Sequence, residues 1–354
     1  MELINLEDYE RAAAGKLPAM VRDYFAGGAG DGITLRRNRE AFERIELHYR
    51  VLVDVGRRDL SLTLLGQRLA APLLIAPTAF QRLAHPEGEL ATVRAAGAAR
   101  TVMVLSTVST CPLEEVLAAA SAPVWFQLYV FKDRAATVEL VRRAEAAGCE
   151  ALVLTVDVPV QGHREIDIRN RFRLPEGITI ANLPDMRELP AAQRGSGLGA
   201  YIASHFDPSL TWKDVEWLRS LTELPLVVKG VARADDAVRA VERGVAGVIV
   251  SNHGGRQLDG APAAIAVLPA IADAVAGRAE VLVDGGIRRG TDVVKAIASG
   301  ARAVLVGRPI LWGLAVDGER GVCRVLELLR AELDGAMALC GCPSIADIGR
   351  DLLG

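Results

Sequence analysis

Five cysteines are too few, and too irregularly placed, to staple or to chelate. Cys111, Cys149, Cys323, Cys340 and Cys342 are an odd number without a CxxC pair, so neither a disulfide framework nor a zinc site is expected. Basic excess is missing as well: Lys+Arg 41 against Asp+Glu 44 leaves a net charge of −3, and no surplus is available to grip a phosphate backbone. Nucleic acid is therefore not an expected partner. Long apolar runs are absent, with no stretch of about 18 residues free of charge and polarity, so no membrane span is expected. The first residues, MELINLEDYERAAAG, are charged and amphipathic where a secretory signal would be apolar. The last, Asp351-Leu352-Leu353-Gly354, form neither a lipidation site nor a peroxisomal address. A cytoplasmic location is the expectation. Lysine is scarce too, five against 36 arginines, so each lysine stands out.

What is present is ordinary globular material. Of 354 residues, 51% are hydrophobic and 24% charged, which excludes a disordered chain and allows a large core without staples. Short apolar runs recur eight times, at Pro72–Ala76, Val102–Leu105, Pro123–Phe126, Ala151–Leu154, Pro225–Val228, Gly247–Val250, Glu280–Val283 and Ala303–Val306. Continuous Val/Ile/Leu runs suit parallel strands buried on both faces. Amphipathic stretches lie between them, including Pro86–Ala99, Asp133–Ala147, Ala234–Arg243, Ala263–Ala276 and Thr291–Ser299, several opened by Asp, Thr or Pro and closed by Gly. Eight strand–helix alternations point to an α/β fold of the (β/α)8 TIM-barrel type. An open doubly wound sheet is the alternative, since strand order is not written in the chain. We read one domain over 1–354: a mostly helical N-terminal cap over 1–70 ending in a hairpin-like stretch at Asp59–Leu69, a barrel over 71–315, and C-terminal helices over 316–354. The fourth strand is followed by a long Arg-, Pro- and Gly-rich loop at about 160–209, a length usually reserved for a functional lid.

Active sites of such barrels sit at the C-terminal ends of the strands. Those positions read Pro77-Thr78-Ala79, Ser106, Gln127-Leu128-Tyr129, Thr155-Val156-Asp157, Lys229, Ser251-Asn252-His253, Asp284-Gly285-Gly286 and Gly307-Arg308. Polar residues often follow strands because loops are polar, and a strand-end lysine or a loop acid is commonly structural. That reading does not account for a lysine, a histidine and several amides and hydroxyls converging on one rim. Lys229 enters the barrel mouth directly after Leu226-Val227-Val228, where a fixed cation offsets developing negative charge. In Ser251-Asn252-His253-Gly254-Gly255-Arg256, imidazole titrates near neutrality and suits a general base, and Arg256 presents a planar fork to a carboxylate. Asp157 can orient His253, and Arg164 can complete a carboxylate clamp. The turns Asp284-Gly285-Gly286-Ile287-Arg288 and Gly307-Arg308, after strands seven and eight, suit phosphate. No GxGxxG follows the first strand, so a nicotinamide cofactor is unsupported, and no metal is expected.

The segments SNHGGRQLD, DGGIRRGTDV, IAPTAFQRLAHPEGE, FQLYVFKDR and LTVDVPVQGHREIDIRNRF resemble the FMN-dependent 2-hydroxy acid oxidases, a family of glycolate, lactate, mandelate and hydroxymandelate oxidases and dehydrogenases. The likeness runs over nearly the whole chain, and SNHGGRQLD is highly specific. It implies FMN as cofactor, held by Pro77, Thr78, Ala79, Ser106, Gln127, Thr155, Lys229 and Ser251, with the phosphate near Asp284, Gly285, Gly286, Ile287, Arg288, Gly307 and Arg308. It implies His253 as the base supported by Asp157, with Lys229 and Tyr129 in the catalytic set. It also implies that Arg164, Arg256, Tyr24 and Tyr129 hold the 2-hydroxy acid, that O2 is the oxidant giving H2O2, and that the assembly is a homotetramer. Hydride and carbanion chemistry both remain open.

Glycolate-type members tend to carry a bulky aromatic where this chain has Val108. The extra room, with Phe80, Val160, Tyr201 and Phe206 expected nearby, favours an (S)-2-hydroxy acid with an aromatic side chain, of mandelate or 4-hydroxymandelate type. Membrane-bound mandelate dehydrogenases carry an apolar insertion in the loop after strand four, where this chain has Arg187, Glu188, Gln193 and Arg194. Three other readings stand: a dehydrogenase that passes electrons to a quinone or carrier protein, another phosphate-binding barrel such as an IMP-dehydrogenase-like enzyme, and an inactive binding module. The second needs a loop cysteine that neither 251–260 nor 284–290 contains. The last has no reason to keep His253, Arg256, Arg164 and Lys229 together.

Overall fold

The computed structural model describes residues 2–183 and 196–354. Three helices come first: α1 (Leu6–Lys16), α2 (Ala19–Ala26) and α3 (Ile33–Glu43). The Asn5 side chain caps α1 by accepting from the Asp8 N–H, with Glu7 and Asp8 in the first turn and Lys16 in the last, an arrangement that matches the helix dipole. A hairpin follows, β1 (Leu62–Leu64) and β2 (Gln67–Leu69), paired antiparallel.

The eight apolar runs become the strands of a closed parallel barrel: β3 (Leu73–Ile75), β4 (Met103–Ser106), β5 (Val124–Leu128), β6 (Ala151–Thr155), β7 (Leu226–Val231), β8 (Gly247–Val250), β9 (Glu280–Asp284) and β10 (Ala303–Val306). Neighbours pair in chain order and β10 closes on β3, which settles the choice against an open sheet. Nearly every strand residue is buried, as expected of strands covered on both faces. Leu74, Val104, Trp125, Val153, Val227, Ile249, Leu282 and Leu305 form one apolar cluster with Leu62, Leu64 and Leu69 of the hairpin. The hairpin thus packs on the barrel interior, and Trp125 Nε1 donates to Gln67 Oε1 at 3.0 Å. Alternate strand residues such as Ile75, Leu105, Phe126 and Leu154 belong to the larger cluster shared with the helices.

Helices follow the strands in turn: α4 (Glu89–Ala99), α5 (Leu113–Ala118), α6 (Arg134–Ala146), then α7 (Glu165–Arg169), α8 (Gly197–His205) and α9 (Trp212–Leu221) after β6. Next come α10 (Ala234–Glu242), α11 (Ala264–Val275), α12 (Gly290–Ala298) and α13 (Arg308–Cys340). Asp133 caps α6, and a Thr211–Asp214 capping box starts α9. The loop after the fourth barrel strand contains the short helices α7 and α8 where an irregular stretch was expected. Arg187, Glu188, Gln193 and Arg194 lie outside the described residues. Within α13 the helix breaks at Asp317-Gly318, where Gly318 has φ 54°, so that one helical segment follows β10 directly and a second runs on to Cys340. Among the described residues no helix is long and apolar enough to cross a membrane.

Candidate active site

One cavity opens at the C-terminal ends of the strands, about 1200 Å³ including its mouth. Its wall gathers Pro77, Thr78 and Ala79 after β3, Ser106 at the end of β4 and Val108 beyond it, Gln127 of β5 and Tyr129 just after it, and Thr155 of β6. Lys229 of β7, then His253, Arg256, Asp284 to Arg288, Gly307 and Arg308 continue it, with Tyr24 and Arg164 entering from α2 and the start of α7. Asp157 and Ser251 stand one layer behind, each bonded to a wall residue.

His253 carries the acid–base capacity. Its Nδ1 lies 2.9 Å from Asp157 Oδ1. A carboxylate only accepts, so Nδ1 holds the hydrogen and Nε2 is left as the acceptor. Burial lowers the imidazole below its ordinary range, although Asp157 pulls the other way. Burial also penalises ionised Asp157, but His253 and Lys229 outweigh it and keep that carboxyl below its usual value. The result is a neutral imidazole backed by an anion, poised to take a proton. The turn that presents it is tight: His253 has φ 58°, and its N–H donates to Ser251 Oγ at 3.0 Å. Gly230 makes room for Asp157; its φ is +105°, and a Cβ there would lie 2.6 Å from Asp157 Cγ.

Four guanidiniums, that of Arg164 buried and the other three half-buried, supply the positive charge. Arg164 donates from Nε to the Arg256 carbonyl and from Nη2 to Gln257 Oε1. Arg256 donates from Nη1 to the carbonyls of Tyr24 and Gly27 and lies 4.9 Å over the Tyr24 ring. Arg308 donates to the carbonyls of Phe25, Gly254 and Gly27, and Arg288 stacks on Trp312 at 4.6 Å. Neutral oxygens hold all four, and among the described residues none has a carboxylate within ion-pair distance. Burial, with help from Arg256, pushes Arg164 down to about 10, and burial chiefly pushes Arg288 to about 10. Arg308 is held well below its ordinary value by burial and by Arg256 and Arg288. Such a cluster lacks its counter-charge, and anionic groups would relieve it.

Polar groups complete the wall. Ser106 Oγ, Gln127 and Thr155 Oγ1 form a hydrogen-bonded row across β4, β5 and β6. Lys229 Nζ donates to Ser251 Oγ and pairs with Asp284 Oδ2, both at 2.9 Å. Burial works against that ammonium, yet Asp284 and Asp157 keep it above its ordinary value. Asp284 Oδ1 is buried without a partner, an acceptor suited to a ligand hydroxyl. A phosphorylated polyol joined to a flat heterocycle suits this donor set: guanidiniums and glycine turns for the phosphate, Asp284 for the polyol, the amide–hydroxyl row and Lys229 for the ring. FMN has that form.

The opposite wall is apolar. Leu198 and Ile202 of α8 face the cavity four residues apart, with Val158 and Phe206 beside them, and the Phe206 ring lies 4.5 Å from that of Tyr129. The two α8 residues escaped sequence reasoning, although their i, i+4 spacing in GLGAYIASH was a usable sign. Val160 does not reach the cavity and is 64% exposed. Phe80 is fully buried behind the wall, 6.0 Å from the Tyr24 ring, and Tyr201 is buried within the core cluster.

The chain matches the FMN-dependent dehydrogenase family model over residues 13–354. It is 57% identical over 356 residues to an L-lactate oxidase of Nostoc sp., covering 99% of this chain and 98% of that one. It is 53% identical over 352 residues to glycolate oxidase 3 of Arabidopsis thaliana, covering 99% and 95%. Among solved structures, mandelate oxidase with (S)-4-hydroxymandelic acid superposes with a TM-score of 0.95 at 48% identity, covering 99% and 98%.

Proposed function

The chain belongs to the FMN-dependent dehydrogenase family, and on that premise we propose that it is an oxidase of (S)-2-hydroxy acids whose preferred substrate carries an aromatic side chain. The observation that carries this reading is the His253–Asp157 pair, set beside the guanidiniums of Arg164 and Arg256, which neutral oxygens hold. Arg164 and Arg256 clamp the substrate carboxylate, which fixes the rest of the molecule against the imidazole. Tyr24 and Tyr129 close over it, with Val108, Leu198, Ile202 and Phe206 receiving the side chain.

His253 Nε2 accepts a proton from the substrate while Asp157, across Nδ1, stabilises the imidazolium. Pro77, Thr78, Ala79, Ser106, Gln127, Thr155, Lys229 and Ser251 would hold the ring of FMN, and Asp284 to Arg288 with Gly307 and Arg308 its ribityl phosphate. FMN supplies the acceptor for two electrons from the substrate. Lys229 would set a fixed positive charge beside that ring and favour negative charge on it. In the balance, the 2-hydroxy acid loses two electrons and two protons to give the 2-oxo acid, and O2 takes them up as H2O2.

Self-association into a homotetramer fits the exposed Tyr49, Val51, Leu52 and Leu339. The bond from Arg50 N–H to the Cys340 carbonyl brings the two segments that carry them together, and light scattering measures the mass.

Anaerobic titration with (S)-mandelate, followed by air, tests the reading. Loss of the flavin absorbance and its return with peroxide is the expected result. Loss that persists in air identifies a dehydrogenase with another acceptor. A higher kcat/KM for glycolate or lactate than for mandelate would refute the aromatic preference.

A further inference from the structure

Helix α3 of the N-terminal cap lies across two turns of the barrel rim. Its start is tied to the turn after β8: Asp259 Oδ1 accepts from the Thr34 N–H at 2.8 Å and Oδ2 from the Ile33 N–H at 3.3 Å. Its end is tied to the turn after β9 and to α12. There Arg39 Nη1 reaches Asp292 Oδ2 at 3.0 Å and the Gly286 carbonyl, and Lys295 Nζ donates to the Phe42 carbonyl at 2.8 Å.

Asn38 sits midway and touches both turns. Its Nδ2 donates to Asn252 Oδ1 at 2.9 Å, and its Oδ1 accepts from Asn252 Nδ2 at 2.8 Å. Asn252 immediately precedes His253 and uses its remaining capacity on the Pro262 carbonyl and the Gly255 N–H. Every donor hydrogen and lone pair of that amide is thereby used, and Asn38 supplies half of the partners. On the other side the Asn38 backbone fills the hollow of the glycine turn: a Cβ at Gly286, whose φ is +91°, would lie 2.1 Å from the Asn38 carbonyl oxygen. Asn38 is only 2% exposed and Asn252 only 8%, so water does not replace the pair.

We propose that Asn38 is a positioning residue that locks the His253 turn to the glycine turn at Gly285-Gly286, so that one cap side chain sets the base and the cofactor's phosphate end in mutual register. The proposal rests on the cofactor placement above. It assigns the cap a part in catalysis that no residue of the cap plays through direct contact with substrate, apart from Tyr24. It also explains an asparagine in the otherwise charged run Arg36-Arg37-Asn38-Arg39-Glu40: the amide both donates and accepts, which the flanking side chains do not.

The test uses Asn38→Leu, near in size and unable to hydrogen-bond, and Asn38→Ser, which is too short to reach both Asn252 atoms. If the leucine variant does not fold, the serine variant decides. FMN affinity is read on the deflavinated protein by quenching of FMN fluorescence. kcat and KM are then measured at saturating FMN, with thermal melting of the deflavinated protein alongside. Loss of two buried hydrogen bonds predicts FMN binding about tenfold weaker and kcat about tenfold lower. KM for the 2-hydroxy acid should stay within about twofold, because Arg164 and Arg256 keep anchors away from Asn38. Wild-type FMN affinity and kcat with only the melting temperature reduced would overturn the proposal and leave Asn38 a packing residue. Wild type is run first, and its failure to bind FMN would instead overturn the functional reading on which this one stands.

Discussion

Asp157→Asn separates the charge of the residue behind His253 from its shape. Asparagine occupies the same volume beside Gly230, and its carbonyl can still accept from Nδ1 across the 2.9 Å contact. What disappears is the negative charge. A hydrogen bond to a charged group contributes about 1.5–3 kcal/mol against about 0.5–1.5 for a neutral one, and the gap of roughly 1–2 kcal/mol grows when the imidazole becomes cationic in the transition state. At about 1.4 kcal/mol per decade, kcat should fall roughly 10- to 100-fold. The pH profile supplies an independent signature. The base works when neutral, so kcat/KM falls as pH drops through the His253 pKa, which burial already places below its ordinary value. Asp157 opposes that lowering, so losing its charge moves the acid limb further down. The assay is oxygen consumption across pH at saturating FMN. A plateau within about threefold of wild type with an unmoved acid limb, or a limb that moves upward, would refute the arrangement.

Further variants probe separate parts of the molecule. Arg164→Leu removes half of the carboxylate clamp, and steady-state kinetics should show KM raised about 10- to 100-fold. Val108→Trp fills the cavity wall beside Tyr129 and should abolish turnover of mandelate while leaving that of glycolate, read by comparing kcat/KM for the two acids. Gly230→Ala places a Cβ 2.6 Å from Asp157 Cγ at a φ of +105°; it should reproduce the shifted acid limb of Asp157→Asn together with a lower melting temperature. Trp125→Ala empties the barrel interior, and denaturant unfolding should register a loss of roughly 3–5 kcal/mol.

Strands and rim were the readable part of the chain. Runs such as Ala151–Leu154 admit few alternatives once bounded by turns, and a parallel barrel places the next residues, here Thr155 to Asp157, at its mouth. Sequence failed where position depends on a partner far along the chain. Asn38 looks like a solvated residue among arginines, and only the amide of Asn252, more than two hundred positions later, makes it a buried one. The strained turn at His253 was hinted at by Gly254-Gly255, but not that the histidine itself would adopt φ 58°. Proximity in sequence misled at Val160, which lies near Asp157 in the chain yet points to solvent. The i, i+4 spacing of Leu198 and Ile202 showed that they share one side of a helix, but nothing local said that this side would face the cavity.

The last barrel strand bonds to the first, and Arg308, just beyond it, reaches back to the carbonyls of Phe25 and Gly27. During synthesis the chain must therefore carry an unfinished sheet until residues 303–308 arrive. Until then β3 keeps an open edge, and the cap lacks the guanidinium that laces it to the barrel. Ring closure and completion of the anion site are one event. A chain stopped short of it retains most of the named side chains yet no place for them to meet, so ligand uptake should report that synthesis has passed the final strand.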